Sequence, residues 1–208
     1  MERCNVRIKT DKKRQLIVDT AYRLFRANGF EKTSMSEITA QVGGSKATLY
    51  NYFSSKEELF VECMFDIAEN YLDGIFSHLQ DQSEDIRTAL QGFGEDMIRL
   101  MCTPDMVAIG HLMIAEAGRA GVGKLFYDKI RSRQGEIAAF IGSAMETSKL
   151  RRGDPRLASD QLRALLETEI FYQYILRVRT AIPEDAEISA FAERAVDAFL
   201  RAYTPNAE

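Results

Sequence analysis

The chain has 208 residues, 46% apolar and 28% charged, which suffices for one large domain or for a small module joined to a larger one. It contains no apolar run of the roughly 20 residues that a membrane span needs and no signal-peptide pattern, so the sequence predicts a soluble, cytoplasmic protein. The formal net charge of -4 divides unevenly: residues 1–56 carry 11 Lys/Arg against 5 Asp/Glu, and the remaining residues carry 16 against 26. A basic N-terminal part and an acidic remainder are expected when only the N-terminal part contacts the phosphates of a nucleic acid.

The spacing of apolar residues by three and four predicts an all-α chain of about nine helices. The first helix is expected over about 11–28. Thr10 is suited to be its N-cap, and Gly29 is suited to end it in a left-handed conformation.

Two short helices follow, separated by a glycine turn. Ser34 and Glu37 have the S-x-x-E spacing of a capping box for a helix over about 35–42, which Gly43-Gly44 ends. A third helix is expected over about 46–52. Two short helices around a tight turn are typical of a helix-turn-helix.

The third helix has the side chains that a DNA-reading helix needs. Lys46 can reach a guanine edge or a phosphate, Thr48 can contact a thymine methyl, and Asn51 can read adenine. Tyr50 and Tyr52 are better suited to phosphate and sugar. The alternative role for Tyr50 is packing against the protein core.

The rest of the chain reads as a helical domain. Ser55 and Glu58 form a second capping box that opens a long helix ending near Gln80. The last two predicted helices, about 157–179 and 186–203, have broad apolar faces, which predicts a homodimer through a four-helix bundle. The alternative, that both faces belong to the core of one chain, stays open.

Residues typical of enzymes and metal sites are scattered. Cys4, Cys63 and Cys102 stand far apart, and His78 and His111 are each isolated. There is no nucleophile elbow, phosphate-cradling glycine loop or metal-ligand spacing. The sequence therefore predicts no cofactor, no metal and no enzymatic activity.

The run from Ile17 through Phe60 contains A-x-x-L-F-x-x-x-G-F, then T-S-M-S-E-I, then S-K-A-T-L-Y-N-Y-F-S-S-K-E-E-L-F, and it closely resembles the DNA-binding domain of the TetR (tetracycline repressor) family. The resemblance implies a DNA-binding domain over 1–56, a ligand-binding and dimerisation domain over 57–208, and a dimer on a palindromic operator. By position, the family's DNA contacts fall on Thr33, Ser34, Ser36, Ser45, Lys46, Ala47, Thr48, Tyr50, Asn51, Tyr52 and Lys56.

The chain departs from the family's pattern at Gly44, where the family usually has a small branched apolar residue in the turn. The departure is expected to loosen the recognition helix slightly. The C-terminal part resembles the family in layout, with a likeness to the AcrR/AefR-like branch in the G-D-P-R-L-A stretch from Gly153 to Ala158.

Aromatic and methionine side chains in the C-terminal part suit a hydrophobic or aromatic effector. The candidate ligand-binding residues, for which core packing or surface pairing is the alternative, are Met97, Met101, His111, Glu116, Arg119, Phe171 and Tyr174.

The sequence thus predicts a ligand-responsive transcriptional regulator, a repressor whose two recognition helices lie about 34–36 Å apart until an effector changes that spacing. An activator of the same fold is an alternative. A helical adaptor without sequence-specific DNA binding is another.

Overall fold

The computed structural model describes residues 2–80, 85–119 and 121–205, and the side chains of residues 2–10, 70, 71 and 73, including that of Cys4, lie outside the description. Over these ranges the chain forms helices and no strand, so the predicted all-α fold is confirmed. The helices are α1 (Glu2–Lys32), α2 (Met35–Val42), α3 (Lys46–Tyr52), α4 (Lys56–Ser77), α5 (Ile86–Met101), α6 (Pro104–Glu116), α7 (Val122–Glu146), α8 (Pro155–Glu167), α9 (Phe171–Ile175) and α10 (Asp185–Tyr203).

The chain divides into two compact units. The first comprises the residues up to Glu69 together with Met113–Tyr127, and the second comprises Asn70–Leu112 and the residues from Asp128 onward. The division falls inside α4, α6 and α7. The functional boundary after residue 56 stays a prediction.

The predicted start of the first helix is wrong. The backbone is already helical from Glu2, and Thr10 lies inside α1 instead of capping it. No proline or glycine precedes Asp11, so nothing in that stretch interrupts a helix. Gly29 does break the helix, with φ 78° and ψ 170°, a conformation that a residue with a Cβ rarely adopts.

An aromatic cluster forms the core of the first unit. The rings of Phe25, Phe30 and Phe60 lie within 5.8 Å of one another by centroid distance, and Phe126 lies 6.0 Å from Phe60. All four side chains are buried. This cluster ties α1 to α4 and supports the helix-turn-helix.

In the second unit, α10 packs against α5 and α8. Gly94 on α5 allows the close approach, because a Cβ there would lie 3.0 Å from Leu166 Cδ2 and 3.4 Å from Ala192 Cβ. The core between these helices contains the fully buried Phe93 and Phe199.

A single helix over about 157–179 is a wrong prediction. The helix α8 ends at Glu167, and α9 begins only at Phe171. The Thr168 hydroxyl donates to Ala164 O at 2.7 Å. Beyond it the backbone hydrogen bonds change from the α-helical to the 3₁₀ pattern, since Ile170 N–H donates to Glu167 O, three residues earlier, at 3.1 Å. The last predicted helix, about 186–203, agrees with α10.

The apolar residues between Leu162 and Val178 fall into a buried group and an exposed group. Leu162, Leu166, Ile170 and Tyr174, at intervals of four, are buried. In contrast, the exposed fractions of other large apolar side chains are high, at 70% for Tyr172 and 78% for Val178. The segment is therefore covered on one side only within the single chain.

Among the described helices, no single one is both long and apolar enough to cross a membrane. Ile86–Met101 and Pro104–Glu116 pass that test only as a pair bent by 69°.

Candidate nucleic-acid interface

The ends of α2 are set by local hydrogen bonds. The Ser34 hydroxyl oxygen accepts from Glu37 N–H at 3.1 Å, which confirms the predicted N-cap. At the other end, Gly43 N–H donates to Thr39 O at 2.9 Å, and Gly43 has a positive φ of 72°. The helix is therefore stopped within eight residues, as a helix-turn-helix requires.

The third helix is capped in the same way. Ser45 Oγ accepts from Thr48 N–H at 3.1 Å and lies 2.9 Å from Thr48 Oγ1. Leu49 is 3% exposed and fastens α3 to the core. The opposite face of α3, which includes Lys46 and Tyr50, therefore points to solvent.

The predicted DNA contacts differ in how far they reach solvent. Thr48, Tyr52 and Lys56 are half-buried, and Thr33 is buried. The exposed members are Ser34, Ser36, Ser45, Lys46, Ala47, Tyr50 and Asn51.

Two of the predicted contacts have polar partners inside the protein. The single proton of the Thr33 hydroxyl is shared between Gly29 O at 2.9 Å and Leu24 O at 3.2 Å. The Lys56 ammonium donates to Phe30 O at 2.9 Å and to Thr33 O at 3.1 Å, and it lies 4.1 Å from the centroid of the Phe30 ring. Both side chains therefore hold the connection between α1 and α2, and their contact with DNA stays a prediction.

Sequence reasoning missed Lys13. Its ammonium donates to Val42 O at 3.0 Å and to Gly43 O at 2.8 Å, at the end of α2. The neighbouring Arg14 donates to Glu62 Oε2 at 2.6 Å and lies over the Phe53 ring. Because the partners are about thirty to fifty residues away along the chain, no local pattern signals these contacts.

Of the candidate effector residues in the second unit, His111 lies on α6, and Phe171 and Tyr174 lie on α9. His111 Nε2 lies 2.6 Å from Ile175 O and must donate to it, because a carbonyl oxygen only accepts. Nδ1 of the same ring is buried and has no hydrogen-bond partner among the described residues. In the neutral imidazole this nitrogen is an acceptor available to a ligand donor.

Tyr174 lies in the core beside that helix. Its hydroxyl donates to Ala181 O at 2.7 Å, and burial raises the pKa of Tyr174 to about 12, with a further contribution from Cys102. Burial also raises the pKa of the Cys102 thiol. Both groups are therefore neutral near pH 7.

The other candidates are placed differently. Met97 and Met101 are partly buried against the core of the second unit, while Phe171 is 44% exposed and contacts Tyr172 edge to face.

Glu116 and Arg119 belong to the first unit. The Arg119 guanidinium pairs with Glu116 and with Glu31, and it lies 5.6 Å from the centroid of the Phe30 ring. A common ligand site for all seven candidates stays a prediction.

Two short capped helices around a glycine turn, with an outward polar face on the second of them, define a DNA-binding protein of the helix-turn-helix class. Residues 17–63 match the bacterial regulatory proteins of the tetR family, and residues 88–205 match the C-terminal domain of AefR-like transcriptional repressors. The second match covers more than half of the chain. The chain belongs to the TetR family of transcriptional regulators, which are DNA-binding proteins and not enzymes.

Individual relatives agree with this assignment. The HTH-type transcriptional regulator YxaF of Bacillus subtilis (strain 168) is 38% identical over 73 residues, or 35% of this chain, and the match spans 36% of that relative's length. A TetR-family transcriptional regulator from Mesorhizobium loti superposes with a TM-score of 0.77 at 26% identity, covering 93% of this chain and 98% of that one. The flavonoid-responsive regulator FrrA superposes with a TM-score of 0.74 at 28% identity, covering 95% of this chain and 100% of that one.

Proposed function

We propose that the chain is a repressor that binds a palindromic operator as a homodimer in the cytoplasm and is released by a small aromatic effector. The observation that carries the proposal is the outward polar face of α3, held by the Ser45 cap and by the buried Leu49. The match of residues 88–205 to AefR-like transcriptional repressors supports repression. A promoter assay distinguishes this from activation.

In this proposal the DNA contacts have two tasks. Lys46, Thr48 and Asn51 read base edges, and Tyr50 and Tyr52 contact the backbone. The residues proposed to position the domain on the sugar-phosphate backbone of the DNA are Thr33, Ser34, Ser36, Ser45, Ala47 and Lys56.

The proposed dimer interface is the outer surface of α8 and α10. An open groove of about 350 Å³ lies between these helices and is lined mostly by small or apolar side chains, among them Ala164, Leu165, Ala198 and Ala202. Small side chains permit the close approach of a second helix, and two copies of this pair make a four-helix bundle. The end of α8 at Glu167 makes this interface shorter than the range 157–179 implied.

A matched pair of substitutions on α10 tests the interface. Ala198 and Ala186 are both exposed in the single chain, but only Ala198 lines the groove. We expect Ala198→Glu to be monomeric by light scattering at a concentration where the wild type and Ala186→Glu are dimeric. If both variants remain dimeric, the interface lies elsewhere.

The proposed effector carries an aromatic ring and a hydroxyl group. The unpaired Nδ1 of His111 supports a hydroxyl donor, and the partly buried methionine and aromatic side chains of the same unit suit a ring. The similarity to FrrA, a flavonoid-responsive regulator, supports the same chemistry. A coupling free energy of about 1–3 kcal/mol would lower operator affinity roughly 5- to 150-fold.

The first experiment selects duplexes from a random DNA library with the purified wild-type protein and measures their affinity by fluorescence anisotropy at two salt concentrations. We expect tight, salt-sensitive binding that Lys46→Ala/Tyr50→Ala abolishes. The matched control is Lys124→Ala/Tyr127→Ala, which removes an exposed lysine and an exposed tyrosine from α7. An unselective wild type, or equal losses in both double variants, would contradict the proposal.

A second experiment adds hydroxylated flavonoids, and analogues without the hydroxyl groups, to the protein–DNA complex. We expect the hydroxylated compounds to release DNA more effectively, and His111→Phe to remove this difference. Equal release by both sets from the wild type would argue against a hydroxyl donor at His111.

A further inference from the structure

The turn before the recognition helix contains two successive glycines with positive φ, 72° at Gly43 and 115° at Gly44. Glycine loses more backbone freedom on ordering than any other residue, so a double-glycine turn holds its conformation weakly by itself. This turn sets the direction in which α3 leaves α2. Its order therefore has to come from contacts elsewhere in the unit.

Lys13 supplies such contacts. Its ammonium donates to Val42 O at 3.0 Å and to Gly43 O at 2.8 Å, and so bridges the last residue of α2 and the first glycine. Carbonyls at a helix C-terminus lack partners within the helix and have a partial negative charge. A lysine ammonium supplies hydrogen-bond donors to these carbonyls and a positive charge opposite their partial negative charge.

The packing around Lys13 reaches α3 as well. Lys13 lines a narrow space of about 10 Å³ together with Ile17 of α1 and with Ser45, Thr48 and Leu49 from the cap and first turn of α3. Such a space holds at most one water molecule. Ile17, one turn after Lys13, is 1% exposed, so the backbone that bears the lysine is fixed.

We propose that Lys13 is a positioning residue for DNA recognition: it orders the Gly43-Gly44 turn and so holds α3 in the orientation that fits the major groove. The proposal rests on operator binding through α3. It assigns to Lys13 no contact with DNA, which distinguishes it from a basic residue that binds phosphate.

The two roles have different consequences. Specific binding requires the ordered turn, so its affinity falls with the fraction of protein in that conformation. Non-specific binding depends on phosphate neutralisation and is little affected by the turn. Removing a positioning lysine should therefore lower specific affinity beyond the effect of one lost charge.

The experiment compares Lys13→Met with Lys12→Met, which removes the adjacent, exposed lysine of the same helix. The probes are a duplex selected from random DNA by the wild type and a scrambled duplex of equal length and composition. Anisotropy titrations at several salt concentrations give both affinities and the slope of log K against log salt.

We expect the two variants to bind the scrambled duplex equally and to have the same salt slope. On the selected duplex, Lys13→Met should bind at least roughly tenfold more weakly than Lys12→Met, as expected for the loss of a charge-assisted hydrogen bond. Lys13→Arg keeps the positive charge and has several N–H donors, so it should restore most of the affinity.

Two outcomes would overturn the proposal. Equal affinities of Lys13→Met and Lys12→Met for the selected duplex would mean that the bridge does not affect recognition. A salt slope lower by about 0.9 per protomer in Lys13→Met alone would mean that Lys13 contacts a phosphate directly.

Amide hydrogen exchange without DNA keeps the test independent of operator binding. In Lys13→Met we expect faster exchange at residues 43–48 and unchanged exchange in the core of α1; unchanged exchange at 43–48 would contradict the proposal. If the wild type selects no duplex, operator binding fails, and the exchange experiment still decides whether Lys13 orders the turn.

Discussion

Replacing Thr33 with valine removes a buried hydroxyl group and keeps almost the same side-chain volume. The hydroxyl donates to Leu24 O and Gly29 O, and Thr33 is only 1% exposed, so water cannot easily replace it. Losing these hydrogen bonds should cost about 1–2 kcal/mol of unfolding free energy. In a chain of this size that corresponds to a Tm about 2–8 °C lower.

Thermal unfolding followed by far-UV circular dichroism measures the change, and anisotropy with the selected duplex, well below Tm, measures DNA affinity. Ser36→Ala is the control, since it removes an exposed hydroxyl from the same segment. Its Tm should stay near the wild-type value. A Thr33→Val variant with unchanged Tm and weakened DNA binding would refute the structural role and favour a phosphate contact.

Two further predictions concern the second unit. Gly94→Val should lower stability by about 1–3 kcal/mol in urea unfolding, because even a Cβ at that position crowds Leu166 and Ala192. The control Gly74→Val introduces the same side chain at a helical position with open space, and should cost less than Gly94→Val. The pKa of the Tyr174 hydroxyl is raised to about 12 in the folded protein, so the unfolded chain loses the hydroxyl proton at a lower pH. The stabilisation from the buried, neutral Tyr174 is therefore complete below about pH 10 and declines as the pH rises toward 12. Urea unfolding of wild type and Tyr174→Phe at pH 8–11 should show a smaller decline in the variant, and parallel curves would contradict the assignment.

Contacts between residues close in sequence were predictable. Ser34 and Ser45 cap their helices with hydrogen bonds to a backbone N–H three residues away, and that geometry follows from the helix itself. The predicted cap at Thr10 failed because a capping residue type marks a helix start only where the preceding backbone is not helical.

The break between α8 and α9 was not predictable from periodicity. The apolar residues from Leu162 to Val178 are compatible with a helix buried on several sides, and the alternation of buried and exposed members became evident only with α5 and α10 in place. Likewise, the hydrogen bond between His111 Nε2 and Ile175 O joins residues 64 positions apart and could not be predicted from local sequence.

The sequence alone determined the helical class, the capped helix-turn-helix and the polar face of α3, because these depend on interactions within a few residues. Tertiary structure decided which polar side chains remain outward. Thr33, Lys13 and Lys56 have the residue types of DNA contacts, yet each donates to backbone carbonyls of the first unit. Hydrogen-bond donors that meet buried or partly buried carbonyls contribute to the fold, and only the packed structure determines where those carbonyls lie.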